Sequence, residues 1–368
     1  MIYLDYNATA PLRDAAFAAM TEVLRAPSNP SSVHRDGRLA RRRVEDARET
    51  LAAALNAPSA GVIFTSGGTE ANNLALTAFP GRRILASAVE HPSILKGKID
   101  AVVPVDRHGV IDLVALDEML SADKSPALLA LMLANNETGV IEPVAEAAAL
   151  AHRYGAFVHV DAMQAFGKIP VDMAALGADS LSVAAHKIGG PQGIGALVLA
   201  DSDADLQPLL VGGGQERRHR AGTENVAGIV GFGAAVADLG DVTAEGARLA
   251  NLRDRIEKAA LDELHGVTIF SRKVGRLPNT TCLALPGVPS QTILMALDLA
   301  GFAISAGSAC SSGKLSPSPV LAAMGETTLA TAAIRISLGW GTTEADVESF
   351  IGQFVTIAQR LIREHKAA

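Results

Sequence analysis

Several short stretches of this chain are apolar without alternation, and they constrain its fold more than any other feature. Leu128 to Ala134 and Ala156 to Asp161 are the clearest. A strand with one wet face alternates polar and apolar residues with a period of two. A strand covered on both faces stays apolar throughout, as in a parallel sheet. Between these two runs, Glu142 to Tyr154 is rich in alanine and predicts a helix. Upstream, Val62-Ile63-Phe64-Thr65 and Arg83 to Ser87 read as strands. They are followed by helices over Thr69 to Phe79 and from near Pro92. The alternation predicts an α/β architecture, a mostly parallel sheet with helices on both faces.

The last third reads differently. An amphipathic helix over Thr243 to Leu264 leads into short strands near Val267, Thr281 and Ala303. Ile334 to Leu338 is a further strand, and Thr343 to Leu361 a closing helix. This predicts a smaller α+β domain. The division expected is a large domain over 15–244 and a small one formed by 1–14 with 245–368. A chain of 368 residues is long enough for both cores.

Charge and composition exclude several classes. The net charge is −7. The densest basic runs are Arg41-Arg42-Arg43, in an acid-interleaved helix, and Arg217-Arg218-His219-Arg220. Neither makes the basic stripe that a nucleic-acid partner requires. No segment has the apolar length of a membrane span, and the first residues have no signal-peptide pattern, so a cytoplasmic enzyme is expected. The two cysteines, Cys282 and Cys310, lie far apart in sequence. No His/Cys/Asp/Glu spacing fits a metal site, and none is predicted.

Chemistry concentrates at strand ends. Lys187 follows the strand predicted over Asp179 to Ala184 and opens Gly189-Gly190-Pro191-Gln192-Gly193. A lysine desolvated there loses proton affinity and becomes an amine nucleophile, as attachment of pyridoxal phosphate requires. A lysine that snorkels from a strand end would look the same. Asp161 closes the preceding strand, at the ligand edge of such a sheet. It suits a pyridinium partner or the cap of a following helix. Ser66-Gly67-Gly68-Thr69-Glu70 joins a strand to a helix and offers a phosphate site, without the lysine of a nucleotide-binding loop. His91, in Glu90-His91-Pro92, suits ring stacking and proton transfer, or a structural role. Cys310 lies in Ser305-Ala306-Gly307-Ser308-Ala309-Cys310-Ser311-Ser312-Gly313, a small polar stretch suited to a reactive thiol. Cys282 sits among apolar residues and reads as buried.

Taken together, these motifs resemble cysteine desulfurases of the NifS/IscS-like type, within the class V aminotransferases and fold-type I pyridoxal-phosphate enzymes. The resemblance runs nearly end to end. It includes Tyr3-Leu4-Asp5-Tyr6-Asn7-Ala8-Thr9, Asn29 to His34, Thr65 to Asn73, Asn135-Asn136-Glu137-Thr138-Gly139, the Asp161 and Lys187 segments, and Gly212 to Glu216. Arg220 to Asn225, Gly307-Ser308-Ala309-Cys310 and Arg335 to Gly339 complete it.

The resemblance implies that Lys187 holds pyridoxal 5′-phosphate as a Schiff base. Asp161 would pair with the ring nitrogen, Gln164 with the phenolate oxygen, and His91 would stack on the ring. Gly68, Thr69 and His186 would hold the phosphate. Thr223 would reach the phosphate of a neighbouring subunit, making a homodimer with a shared active site. Asn135 would touch cofactor and substrate, with Asn7 beside the substrate and Arg335 as the fork for its α-carboxylate. L-cysteine would displace Lys187, and Lys187 and His91 would move protons. The Cys310 thiolate would attack the substrate sulfur, leaving alanine and a Cys310 persulfide. A sulfur-acceptor protein such as an iron–sulfur scaffold would take the sulfur by exchange.

Two positions depart from the pattern. Ala184 stands where the family usually has a phosphate-binding serine, and Pro319 where a histidine is common. Loss of one hydroxyl contact costs about 1 kcal/mol, which predicts weaker cofactor retention rather than inactivity. Two other readings stay open on the residues alone. One is a selenocysteine lyase or another class V aminotransferase-type enzyme. The other is a non-catalytic interaction partner, against which Lys187, Asp161, His91 and Cys310 together argue.

Overall fold

The structure is a computed structural model that describes residues 1–26, 29–306 and 317–367. Cys310 lies outside the described residues.

A seven-stranded sheet forms the centre. Its strands, in spatial order, are Val62–Thr65, Gly195–Leu199, Ser180–Ala184, Phe157–Asp161, Ala127–Met132, Arg83–Ser87 and Ala101–Val103. All neighbours pair in parallel except Gly195–Leu199, which runs antiparallel to both strands beside it. The non-alternating sequence has a direct cause. Leu129 and Leu131 face the main hydrophobic cluster, while Leu128 and Ala130 face a second cluster on the opposite side. Val62 and Phe64 divide from Ile63 in the same way. The strands Val62–Thr65 and Ala127–Met132 are buried on both faces, so neither face selects an alternating polar pattern.

The helices Asp14–Leu24, Arg35–Ala54 and Val226–Ala237 contribute to the main cluster. The alanine-rich helix between the two central strands spans Val144–His152. Its start is set by Pro143, which lacks an N–H and occupies the cap position.

The C-terminal third forms a four-stranded sheet of Ser305–Ala306, Ala333–Ser337, Thr280–Ala284 and Thr268–Ile269. The helices Val242–Glu263, Ser290–Leu299 and Glu344–Ala367 pack beside it. Ile2–Tyr3 pairs in parallel with Phe302–Ala303, and Leu4 joins the hydrophobic cluster of this part. The N-terminal segment then crosses back to the central sheet, where Ala10 N–H donates to the His186 carbonyl at 2.8 Å. This crossing brings residues 5–10 to the carboxyl edge of the parallel strands. No single helix among the described residues is long and apolar enough to cross a membrane.

Candidate active site

The site grows from the ends of two adjacent parallel strands. Asp161 ends one and pairs across the ladder with Ser182 of the other. A single helical turn, Ala185–Lys187, carries the chain from that second strand to Lys187. Gly189 permits the exit: its φ is +82°, and a Cβ there would lie 2.6 Å from the Trp340 ring.

Lys187 Nζ donates to the carbonyl of Asn7 at 2.6 Å and to that of Ala8 at 2.9 Å. Desolvation, reinforced by the positive charge of Arg335, lowers its pKa to about 8, against the pull of Asp161 and Asp5. The amine is therefore within reach of its reactive neutral form near physiological pH.

Asp161 is buried, and two donors hold its carboxylate. Asn72 Nδ2 donates to Oδ2 at 2.8 Å and Met163 N–H to Oδ1 at 3.0 Å. Asn72 is fixed in turn. Its Oδ1 accepts from Ser182 Oγ at 2.6 Å and meets His159 Nε2 at 3.1 Å. Burial lowers the His159 pKa to about 3, so the ring is neutral. A neutral ring facing an amide oxygen must carry its proton on Nε2, which leaves Nδ1 to accept from Ser180 Oγ at 2.8 Å. The amide of Asn72 thus has one orientation, with its donor on Asp161.

Asn7 is the hub of the site. Its carbonyl also accepts from Gln164 Nε2 at 2.9 Å. Its side-chain Oδ1 accepts from Lys168 Nζ at 2.7 Å and Asn279 Nδ2 at 3.2 Å. Its Nδ2 donates to Thr280 Oγ1 at 2.9 Å. Lys168 Nζ also donates to Gln164 Oε1 at 2.5 Å.

Arg335 is buried and reaches the same space from the second sheet. Its Nη1 donates to the Asn136 carbonyl at 2.9 Å and its Nη2 pairs with Asp5 at 2.7 Å. Its Nε is buried with no acceptor among the described residues. An orphaned guanidinium donor beside a lowered-pKa amine suits a carboxylate ligand. Asn135 is also buried. Its Oδ1 accepts from the N–H groups of Glu137 and Thr138, and its Nδ2 donates to the Val89 carbonyl at 3.1 Å. It shapes the turn that presents Asn136 to Arg335.

His91 precedes the short helix Pro92–Leu95 and is exposed to the cleft. Its Nδ1 lies 2.8 Å from Ser93 Oγ and accepts from the Ser93 N–H. Partial desolvation lowers its pKa, Asp161 opposing the shift and Lys187 adding to it. His186 meets Thr9 Oγ1 at 3.3 Å, and desolvation with the charges of Lys187 and Lys168 takes its pKa to about 4.

The helix Gly68–Thr77 starts beside Asp161. A Cβ on Gly68 would lie 2.0 Å from Met163 Sδ, and one on Gly195 2.7 Å from the Gly67 backbone. Only glycine allows strand, turn and helix start to meet so closely. The first-turn N–H groups, with Thr69 exposed at their side, make a cradle for a phosphate. Glu70 closes the turn by accepting from the Ser66 N–H at 2.8 Å and from Arg220 at 2.9 Å. Burial opposes its ionisation, but these bonds prevail and lower its pKa. Thr223 is exposed in the adjoining cleft with Ser66 and Arg220.

The structure therefore brings Lys187, Asp161, Gln164, His91, His186, Asn7 and Arg335 together, with Gly68 and Thr69 at the margin. Thr223 lies farther out, beyond Ser66. Cys282 is buried, and burial pushes its thiol up, which fits an inert residue. Asn72, His159, Lys168 and Asp5 went unmarked as site residues in the sequence. Asp5, Asn72 and His159 lie inside the segments that carry the resemblance, but nothing in those segments marks their partners. These groups fit pyridoxal phosphate: a low-pKa amine, a buried carboxylate held by neutral donors, and a glycine-rich helix start whose first-turn N–H groups suit a phosphate.

Residues 2–350 match the aminotransferase class-V family. The cysteine desulfurase IscS of Dictyoglomus turgidum is 41% identical over 98% of this chain and 95% of its own length. An IscS-like cysteine desulfurase of Mycobacterium tuberculosis is 41% identical over 95% of this chain and 94% of its own. Among solved structures, a NifS-like protein from Rickettsia africae superposes with a TM-score of 0.91 at 37% identity. That alignment covers 98% of this chain and 99% of the other.

Proposed function

We propose, from the premise that this chain belongs to the aminotransferase class-V family and is a cysteine desulfurase, that Lys187 and Asp161 hold pyridoxal phosphate while Arg335 receives the substrate carboxylate. The reaction removes sulfur from L-cysteine, gives L-alanine, and delivers the sulfur to an acceptor thiol. Enzymes of this family use pyridoxal phosphate. The observation that carries the assignment of residues is the docking of Lys187 on Asn7 and Ala8, between the charges of Asp161 and Arg335.

When bound, pyridoxal phosphate supplies an electron sink that labilises bonds at the amino-acid carbons. The chain's residues do the rest. Asp161 provides the anion for the ring nitrogen, and Asn72 keeps that carboxylate aimed. Gln164 directs an amide donor at the phenolate oxygen and His91 covers the ring. Gly68, Thr69 and His186 hold the phosphate, with Thr223 serving a second subunit of a homodimer. Arg335 exchanges its bond with Asp5 for the substrate carboxylate, while Asn7 and Asn135 shape the wall around it. Lys187, whose amine has its pKa lowered to about 8 by burial, would take and return a proton. The thiolate of Cys310 attacks the substrate sulfur. An S–S bond forms, the C–S bond breaks, its electron pair stays with carbon, and protonation there completes alanine. A thiol on the acceptor then takes the outer sulfur.

The division at residue 244 into a cofactor-binding domain and a small domain carrying Cys310 belongs to the same proposal. So do an iron–sulfur scaffold as acceptor and a cytoplasmic location. The test is alanine and sulfide production from L-cysteine by purified protein with pyridoxal phosphate and a thiol reductant. Equal yields are expected, lost in Lys187→Ala. Cys310→Ser retains the visible absorbance of lysine-bound cofactor but releases little sulfide. Sulfide release by Cys310→Ser at the wild-type rate refutes the persulfide route.

A further inference from the structure

We propose that Lys168 is a positioning residue of this site: its buried amine clamps the side chains of Asn7 and Gln164 and so fixes the carbonyl on which Lys187 rests. The inference rests on the role given to Lys187 above.

The geometry is a closed circuit. Lys168 Nζ lies 2.7 Å from Asn7 Oδ1 and 2.5 Å from Gln164 Oε1. Gln164 Nε2 returns to the Asn7 carbonyl at 2.9 Å, and that carbonyl accepts from Lys187 Nζ at 2.6 Å. Asn7 lies on a loop from the N-terminus, and Gln164 and Lys168 follow the strand that ends in Asp161. Among the described residues, side-chain bonds tie the Asn7 loop to the Gln164 and Lys168 segment, while a backbone bond from Ala10 ties it to His186. Asn7 carries its backbone carbonyl and its Oδ1 on one residue, so holding the side chain restrains the carbonyl.

The clamp works best without charge. Lys168 is buried, and desolvation lowers its pKa well below the ordinary lysine range, with Lys187 and Arg335 lowering it further. No carboxylate bonds to it among the described residues. A neutral amine has two N–H groups, and both find acceptors here; an ammonium would leave a third buried and unpaired. The neutral form also spares Lys187 a cation two residues' reach away. The charged and titratable groups that act on Lys187 are then Arg335, Asp161 and Asp5, with His186 and His91 both biased to their neutral forms.

The experiment follows the rate at which full-length protein, freed of cofactor by dialysis against cysteine, regains lysine-bound absorbance on addition of pyridoxal phosphate across pH 6 to 10. The rate reports the neutral amine of Lys187, and the wild-type midpoint is expected at about 8. Lys168→Met loses both donors without changing charge. The Asn7 carbonyl loosens, the ammonium form of Lys187 loses an acceptor, and the midpoint falls by about one pH unit, tenfold in the proton equilibrium. Lys168→Gln keeps neutral donors and shifts the midpoint less. A Lys168→Met midpoint equal to wild type overturns the proposal. A midpoint that rises also overturns it, because Lys168 then acts as a cation repelling Lys187. A Lys168→Gln shift as large as that of Lys168→Met shows that the donors do not matter and overturns it too. Absence of the absorbance in wild type refutes the role of Lys187 itself, a different result from any of these.

Discussion

The bond between Asn72 and Asp161 can be tested by an isosteric change. Asn72→Asp keeps the oxygen that faces His159 and Ser182, but replaces the Nδ2 donor, 2.8 Å from Asp161 Oδ2, by a second carboxyl oxygen. Both residues are buried. Two carboxylates at that distance repel by about 6 kcal/mol even at an effective dielectric constant of about 20. Binding one proton between them is cheaper. An unperturbed aspartate has a pKa of about 3.9, so holding that proton costs about 4 kcal/mol at pH 7 and about 1.5 kcal/mol at pH 5. The sign follows from linkage. The folded-state pKa of the pair is raised, so the variant is closest to wild type below about pH 4. It loses stability as pH rises, until the pair itself ionises. Denaturant unfolding of wild type and variant without added cofactor should show a gap that widens by about 1.4 kcal/mol per pH unit between pH 5 and 7. A constant gap would mean that no proton is shared, and that Asn72 does not face Asp161.

Two further outcomes are expected. Arg335→Lys exchanges a planar fork for a point charge that cannot hold Asn136 and a substrate carboxylate together. With about 2 kcal/mol lost, kcat/KM for L-cysteine should fall roughly 30-fold; a value within threefold of wild type would remove Arg335 from substrate binding. Ala184→Ser restores a hydroxyl at the buried strand end three residues before Lys187. Pyridoxal phosphate should then dissociate more slowly, by roughly fivefold for about 1 kcal/mol, and an unchanged rate in a dialysis assay would show that the cradle has no use for that group.

Much of this arrangement is visible in the sequence because it follows from chain direction. Asp161 and Lys187 each come just after an apolar run, and parallel strands deliver their carboxyl ends to one edge. Gly67-Gly68 is legible for the same reason, as a helix start that follows a strand. The strand Gly195–Leu199 is harder to read. A short buried strand has the same composition whether it runs with or against its neighbours, so its direction had to come from the fold. Asn72, Lys168 and Asp5 show a different limit. Their importance comes from partners 89, 161 and 330 residues away. No local pattern records such pairings.

These distant residues also explain the electrostatics that no single motif supplies. Lys187 and Lys168 both bond to Asn7, Arg335 lies close by on Asp5, and the carboxylates of Asp161 and Asp5 oppose them. Three cations so close would repel one another strongly in a desolvated setting. The chain relieves this in two ways. Asp5 takes up Arg335, and burial disfavours the charge on Lys168. Lys187 is left with a lowered pKa and a nearby guanidinium whose Nε has no acceptor among the described residues. Burial does most to lower that pKa, and the charge of Arg335 adds to it. The same guanidinium offers its buried Nε to a carboxylate. On the roles proposed for Lys187 and Arg335, an amino acid answers both demands, since its carboxylate would satisfy the guanidinium and its amine would exchange with Lys187.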